Sequence, residues 1–251
     1  MCLIALAWQA HPDYPLVVMA NRDEFYRRPT TPARFWPEAP RLLAGRDLAA
    51  GGTWLGVTRQ GRFAALTNYR DPEAPAGERS RGLLVSSFLQ GQDSAWDYAM
   101  QVAAEGPHYG GFNLLLGDGQ ALVVVSNRGT APTRLSPGVH GLSNHLLDTP
   151  WPKVKKAKAG LEQALPALES EHLLALLRND SQADDDALPD TGVGLAMERM
   201  LSPLFIASPQ YGTRASTVLL LGRERVLFVE QTFDGDGAGE RSQFSFDLQQ
   251  G

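Results

Sequence analysis

The chain opens with Cys2-Leu3-Ile4-Ala5-Leu6-Ala7-Trp8, turns through His11-Pro12-Asp13-Tyr14-Pro15, and continues as Leu16-Val17-Val18-Met19-Ala20 followed by Asn21-Arg22-Asp23-Glu24. Two β-prone runs on either side of a proline-containing turn predict an antiparallel hairpin. That hairpin returns the polar tetrapeptide to the neighbourhood of Cys2, at the rim just beyond the second strand. The only cysteine of the sequence therefore faces a dense polar run.

Further along, residues 27–41 contain Pro29, Pro32, Pro37 and Pro40 without a helical or strand period, which predicts a long ordered loop. Residues 54–58 and 62–68 flank Gln60-Gly61 as a second hairpin. Helices are expected over 81–90 and 94–104, the latter with Asp93 as N-cap. Residues 112–116 and 122–126 flank Asp118-Gly119, a dipeptide suited to a type I′ turn. More strand-like pieces lead to Asn144. Helices over 152–165 and 170–177 are separated by Pro166. The acidic stretch 179–194 reads as an exposed loop, and strands over 216–221, 226–233 and 244–248 end the chain. Hairpins grouped apart from helix pairs imply an α+β fold with antiparallel sheets and helices outside them, in one domain over 1–251.

Composition narrows the function. The chain has 251 residues, 43% hydrophobic and 20% charged, with a net charge of −5. Such a balance argues against a sequence-independent grip on nucleic acid. A single cysteine excludes an internal disulfide. No apolar run is long enough for a transmembrane helix, and no basic residue precedes the short apolar N-terminus, so neither a membrane span nor a signal peptide is expected. The expected location is cytoplasmic.

Removal of Met1 would leave Cys2 with both a thiol and a free α-amine. Their ordinary pKa values of about 8.5 and about 7.7–8.0 let the amine accept the thiol proton near neutrality, with no histidine required. Nothing selects one of His11, His108, His140, His145 and His172 as a partner for the thiol. A lone cysteine without HExxH or CxxC spacing does not make a zinc site. Asp234-Gly235-Asp236 does not continue as a calcium loop, because Ala238 and Ser245 occupy ligand positions. Lys153, Lys155, Lys156 and Lys158 crowd a predicted helix start. They form a solvated face or a docking point for an anion such as the phosphate of an acyl-thioester.

Together, Met1-Cys2-Leu3-Ile4, Asn21-Arg22-Asp23-Glu24, Gly51-Gly52-Thr53-Trp54-Leu55-Gly56, Ser80-Arg81-Gly82 and Gly111-Phe112-Asn113-Leu114 resemble the NRDE family, to which the eukaryotic transport and Golgi organisation proteins belong. More distantly, the pattern is similar to N-terminal nucleophile hydrolases that cleave bile-salt and penicillin amides. That resemblance implies a four-layer αββα sandwich of two antiparallel sheets. It also implies a catalytic set of Cys2 as nucleophile, Asp23 near the amine, Asn68 as oxyanion donor, a second asparagine at Asn144 and a late arginine at Arg214. Asn21, Arg22 and Trp54 are expected to contact substrate. The bile-salt pattern has an arginine where this chain has Ala20, and Arg22, next to Asp23, would point the other way on a strand. The reaction implied is hydrolysis or acyl transfer at an amide, ester or thioester of a small molecule, without a cofactor. The alternative is a non-catalytic binding or trafficking protein for haem or acyl-lipid. In either case Cys2, Asp23, Asn68, Asn144 and Arg214 are expected to line one pocket.

Overall fold

The computed structural model describes residues 2–74 and 77–249. The chain begins with β1 (Cys2–Trp8), β2 (Leu16–Phe25), β3 (Thr30–Trp36), β4 (Ala39–Asp47), β5 (Leu55–Thr58) and β6 (Phe63–Asn68). Two helices follow, α1 (Gly82–Gln90) and α2 (Ala95–Glu105), and then β7 (Phe112–Gly117), β8 (Leu122–Ser126), β9 (Thr133–Arg134) and β10 (Gly138–Leu142). Next come α3 (Pro152–Ala164), α4 (Ser170–Leu177) and α5 (Leu195–Leu201), before β11 (Tyr211–Leu221), β12 (Arg225–Asp234) and β13 (Gly237–Asp247).

Among the described residues the strands form a six-stranded sheet, β10-β1-β2-β11-β12-β13, and a seven-stranded sheet, β3-β4-β5-β6-β7-β8-β9. Every strand pair is antiparallel. Helices α1 and α2 cover the outer face of the larger sheet, and α3 and α4 that of the smaller one. The result is the expected αββα sandwich.

The continuous apolar run of β1 follows from this layering. Ile4, Leu6 and Trp8 enter the core between the sheets, while Leu3, Ala5 and Ala7 pack against α3 and α4. A strand buried on both faces has no polar alternation to keep. Each large apolar side chain so buried contributes about 1.5–3 kcal/mol.

Four local expectations are corrected. Residues 27–41 are not a loop: most of them belong to the hairpin of β3 and β4. Pro32 is tolerated because β3 is an edge strand whose pairing is irregular between Thr31 and Arg34, so no ladder N–H is lost there. The N-cap of α2 is Ser94, whose hydroxyl accepts from the Asp97 N–H, and not Asp93. The Asp118-Gly119 turn is not type I′, since only Gly119 has a positive φ. Asp118 instead accepts the N–H groups of Gln120 and Ala121 and that of Ala95 at the start of α2. Finally, β2 does not stop at Ala20 but runs to Phe25, so Asn21-Arg22-Asp23-Glu24 lies inside a strand, with Asn21 and Arg22 paired to both β1 and β11 and Asp23 and Glu24 paired to β11.

Candidate active site at the mouth of the sandwich

Because Asn21-Arg22-Asp23-Glu24 is strand, its side chains alternate between faces. Cys2 is the direct partner of Arg22 across β1 and β2, so both side chains point towards the space between the sheets. Asn21 and Asp23 point to the helix side. Asn21 donates to the carbonyls of Leu177 and Leu204 at 2.9 and 2.7 Å and accepts from the Ser216 hydroxyl at 2.6 Å. Its polar groups are thus spent beneath the sheet, away from the expected substrate side. Asp23 stands opposite Thr213 and accepts its hydroxyl at 2.8 Å, while that hydroxyl accepts the Ile206 N–H.

A cleft of about 710 Å³ opens at one end of the sandwich, and Cys2, Arg22, Asp23, Asn68, Trp54 and Arg214 all line it. Asn144 is absent from the lining. It is fully buried, its amide donates to the Asn68 carbonyl at 2.9 Å, and its side-chain oxygen accepts from Ser143. The single Ser143 hydroxyl proton is shared between that oxygen and the Cys2 carbonyl, at 3.3 and 3.1 Å. Asn144 therefore stitches the end of β6 in one sheet to the start of β1 in the other. The expectation that it shares the pocket is corrected: its amide turns to the Asn68 main-chain carbonyl instead.

Arg214 borders the cleft with its guanidinium occupied. A register shift between Thr213 and Ala215 marks a β-bulge at Arg214. From there Arg214 donates to the carbonyls of Phe25, Tyr26, Arg28 and Phe233 and to the Thr30 hydroxyl. It braces the connection from β2 to β3. By contrast, neither the Asn68 amide nor the Arg22 guanidinium has a hydrogen bond or ion pair among the described residues, so both keep donors for the cleft.

Arg81 belongs to the site although sequence reasoning left it inside a motif without a role. It lines the cleft and donates to the Gly111 carbonyl at 2.9 Å. Glycines hold its loop in place. A Cβ on Gly52 would overlap the main chain of Gly82, and the Thr53 N–H donates to the Gly82 carbonyl at 3.2 Å. The two glycine motifs of the sequence are thus one contact, made possible by the absence of side chains.

Electrostatics separate the two faces. Burial raises the Cys2 thiol pKa and the Asp23 charge adds to this, whereas Arg22 and the Asp23 N–H lower it. Cys2 is 7% exposed, at the floor of the cleft. Asp23 is also raised by burial, opposed chiefly by Lys153. Lys153 corrects another expectation. It is buried, not part of a solvated or anion-docking lysine face, and its ammonium donates to the Leu201 carbonyl at 3.1 Å. Lys156 and Lys158 turn elsewhere, to Asn179 and Asp148. On the cleft side, Glu230 is buried and raised to about 7 by that burial. Its carboxylate accepts the Ala33 N–H of β3 at 2.6 Å and so ties the two sheets together.

Met1 lies outside the described residues. No helix among the described residues is long and apolar enough to cross a membrane.

A family model described as Transport and Golgi organisation 2 matches residues 1–235. The chain is 37% identical over 264 residues to the Transport and Golgi organization protein 2 homolog of Bos taurus, covering 94% of each protein. To the homolog of Homo sapiens it is 37% identical over 257 residues, covering 92% of this chain and 93% of the human protein. The Drosophila melanogaster protein is 29% identical over 96% of this chain and 95% of its own length. Among solved structures, the chain is similar to a Caenorhabditis elegans N-acylethanolamine-hydrolyzing acid amidase ortholog, with a TM-score of 0.48, 12% identity, and coverage of 87% of this chain and 92% of that one. It is also similar to the C2A mutant of a conjugated bile acid hydrolase from Clostridium perfringens, with a TM-score of 0.47, 10% identity, and coverage of 98% and 92%. With its motifs in place and matches to its relatives from end to end, the chain belongs to the Transport and Golgi organisation 2 family.

Proposed function

We propose that the protein is an N-terminal cysteine hydrolase or acyltransferase acting on an amide, ester or thioester of a small molecule. The observation that carries this reading is the position of Cys2, the first residue of the buried strand β1, on the floor of a cleft, with Asp23 next in sequence to its cross-strand partner Arg22.

With Met1 removed, the Cys2 amine takes the thiol proton and the sulfur bonds to the substrate carbonyl carbon. The resulting oxyanion meets the Asn68 amide, whose donors are unspent. The ammonium then returns its proton to the leaving amine, alcohol or thiol as the carbon–heteroatom bond breaks. Water, or an acceptor nucleophile, attacks the acyl-cysteine and releases the thiol. In this reading Asp23 acts on the amine from the helix side, since the amine is main chain and lies between the faces. Arg22 and Arg81 favour an acyl donor that carries a carboxylate or phosphate, and Trp54 offers an apolar wall.

A second reading is favoured by one observation, the upward displacement of the thiol pKa by burial. In that reading the cleft holds haem or acyl-lipid without turnover. Kinetics on p-nitrophenyl esters and acyl thioesters tests the first reading. A burst of leaving group equal to the protein, abolished in Cys2→Ala, supports it. No burst, with stoichiometric ligand binding that survives Cys2→Ala, supports the second.

A further inference from the structure

We propose that His140, Asp148 and Lys158 form a charged clasp that positions the Cys2 centre, closing residues 142–147 into a loop that holds the main chains of Cys2 and Asn68 as long as His140 carries both ring protons. The consequence for catalysis rests on the nucleophile reading above; the clasp itself does not.

Asp148 stands where the chain leaves that loop, and it binds the base of the loop with main chain and side chain alike. Its N–H donates to the Gly141 carbonyl at 2.7 Å, and its Oδ1 accepts the Gly141 N–H at 2.9 Å. The same oxygen accepts the Lys158 ammonium at 2.6 Å, and Oδ2 meets His140 Nδ1 at 2.9 Å. The backbone of Asp148 is left-handed, with a φ of 57°, a conformation that is unfavourable outside glycine and that these contacts hold in place.

The partners of the imidazole fix its charge. His140 Nε2 lies 2.9 Å from the Ser136 carbonyl, which has only lone pairs to offer. Asp148 is likewise an acceptor: burial would raise its carboxyl, but the bonds from His140, Lys158 and the Gly141 N–H hold it at about 2. Two acceptors against two ring nitrogens require two ring protons, so His140 is an imidazolium. The bond to Asp148 raises its pKa accordingly, against burial and Lys158. Among the described residues the charges acting on the ring are those of Asp148 and Lys158. Of the elements packed on β10, β1 sets apolar Leu6 opposite His140, and α3 sends Lys158 to the clasp. His145, inside the loop, is lowered by burial and is neutral where His140 changes charge.

From this base the loop reaches both sheets. The Ser143 hydroxyl bonds the Cys2 carbonyl, and the Asn144 amide donates to the Asn68 carbonyl. The Arg70 N–H donates to the Asn144 carbonyl at 2.7 Å, and the Asn113 amide of β7 to the His145 carbonyl at 2.9 Å. Nucleophile and proposed oxyanion donor thus hang from one loop whose base is tied by charge. Loss of a proton from His140 leaves a ring lone pair facing either Asp148 or Ser136 and loosens that base. Because the folded value lies above the ordinary 6.5, the contribution of the clasp is full below about 6.5 and lost as pH rises through the folded value.

The test uses Met1-free protein, verified by intact mass, and NMR across pH. Ring carbon and nitrogen shifts give the His140 midpoint; hydrogen exchange, corrected for the intrinsic rate at each pH, gives the protection of the Arg70 amide. The midpoint should lie above 6.5, and Arg70 protection should fall stepwise through it. Asp148→Asn, which tolerates left-handed backbone but lacks the charge, should bring the midpoint to the ordinary value or below, and Lys158→Met should move it up by removing a like charge. The Arg70 step should follow the midpoint in each and vanish in His140→Gln. The ratio of Cys2 acetylation rates by p-nitrophenyl acetate, wild type over His140→Gln, should exceed one below the midpoint and approach one above it. A midpoint at or below 6.5, an Arg70 amide without a step, a step that survives in His140→Gln, or a rate ratio that ignores the midpoint would overturn the proposal. The wild-type series needs no variant, so a substitution that fails to fold leaves it decisive. The exchange arm needs no nucleophile, so absence of acetylation at every pH would remove the enzymatic reading and leave the clasp to be judged by exchange alone.

Discussion

Asp23 projects from the opposite face of the sheet to Cys2, because the strand register pairs Cys2 with Arg22 and leaves Asp23 opposite Thr213. The thiol thus shares its face of the sheet with Arg22, while the carboxylate lies on the helix side. Under the proposed function this divides the labour between neighbours in sequence: Arg22 would meet substrate and Asp23 the amine.

That division predicts the kinetics of Asp23→Asn. Asparagine keeps the shape and the contact with Thr213 but removes the charge that the proposed mechanism uses to orient the amine. With an activated ester, kcat should fall by about tenfold to a hundredfold while KM changes little, the pattern of a group that matters in the transition state. Steady-state rates on both proteins decide it. An unchanged kcat would reassign Asp23 to structure.

Gly52→Ala should disable the site from a distance. The added methyl would overlap the main chain of Gly82, next to Arg81, where no flexible side chain can yield. A stability loss of about 2 kcal/mol or more is expected in urea unfolding, together with weaker binding of anionic ligands. Gly119→Ala is the control, since its Cβ meets open space and only its positive φ is at issue.

Glu230 predicts a pH dependence with a definite sign. Burial raises its pKa from 4.5 to about 7 in the folded protein. A raised value means that the folded state holds a proton which the unfolded chain releases. Its contribution is therefore full below about pH 4.5 and lost as pH rises through about 7, a decline on the order of 3 kcal/mol. Glu230→Gln should flatten that part of the stability curve, while its side-chain oxygen still accepts from Ala33. Urea midpoints measured across this range would contradict the assignment if wild type and variant ran parallel.

Much of this was legible in the sequence, for identifiable reasons. The apolar run of β1 and the turn before Leu16 foretold the hairpin, because both faces of that hairpin are buried and the turn residues are strong breakers. The seven-residue β3 was hidden, because prolines dominate local propensity and only the edge position and its irregular register make Pro32 admissible. The polar tetrapeptide reads as lying beyond a strand rather than within one, because its pairing partner β11 lies almost two hundred residues away; Thr213 meets Asp23 across a separation of 190. Asn144 and Arg214 carried the right chemistry for a site, but their donors go to main-chain carbonyls, which no spacing reveals. Lys153 was concealed by its neighbours: among Lys155, Lys156 and Lys158 it reads as one charge of a solvated face, and only the packing of α3 on β1 turns it inward.

The central claim is that the α-amine of Cys2 activates its own thiol. Acetylation by p-nitrophenyl acetate, read by intact and peptide mass, tests it most directly when Met1-free protein is compared with protein that retains Met1. The account predicts one acetyl group per molecule, located on Cys2, in the Met1-free form alone, and none in Cys2→Ala. Equal acetylation of Cys2 in both forms, or no adduct on Cys2 in the Met1-free form, would contradict it.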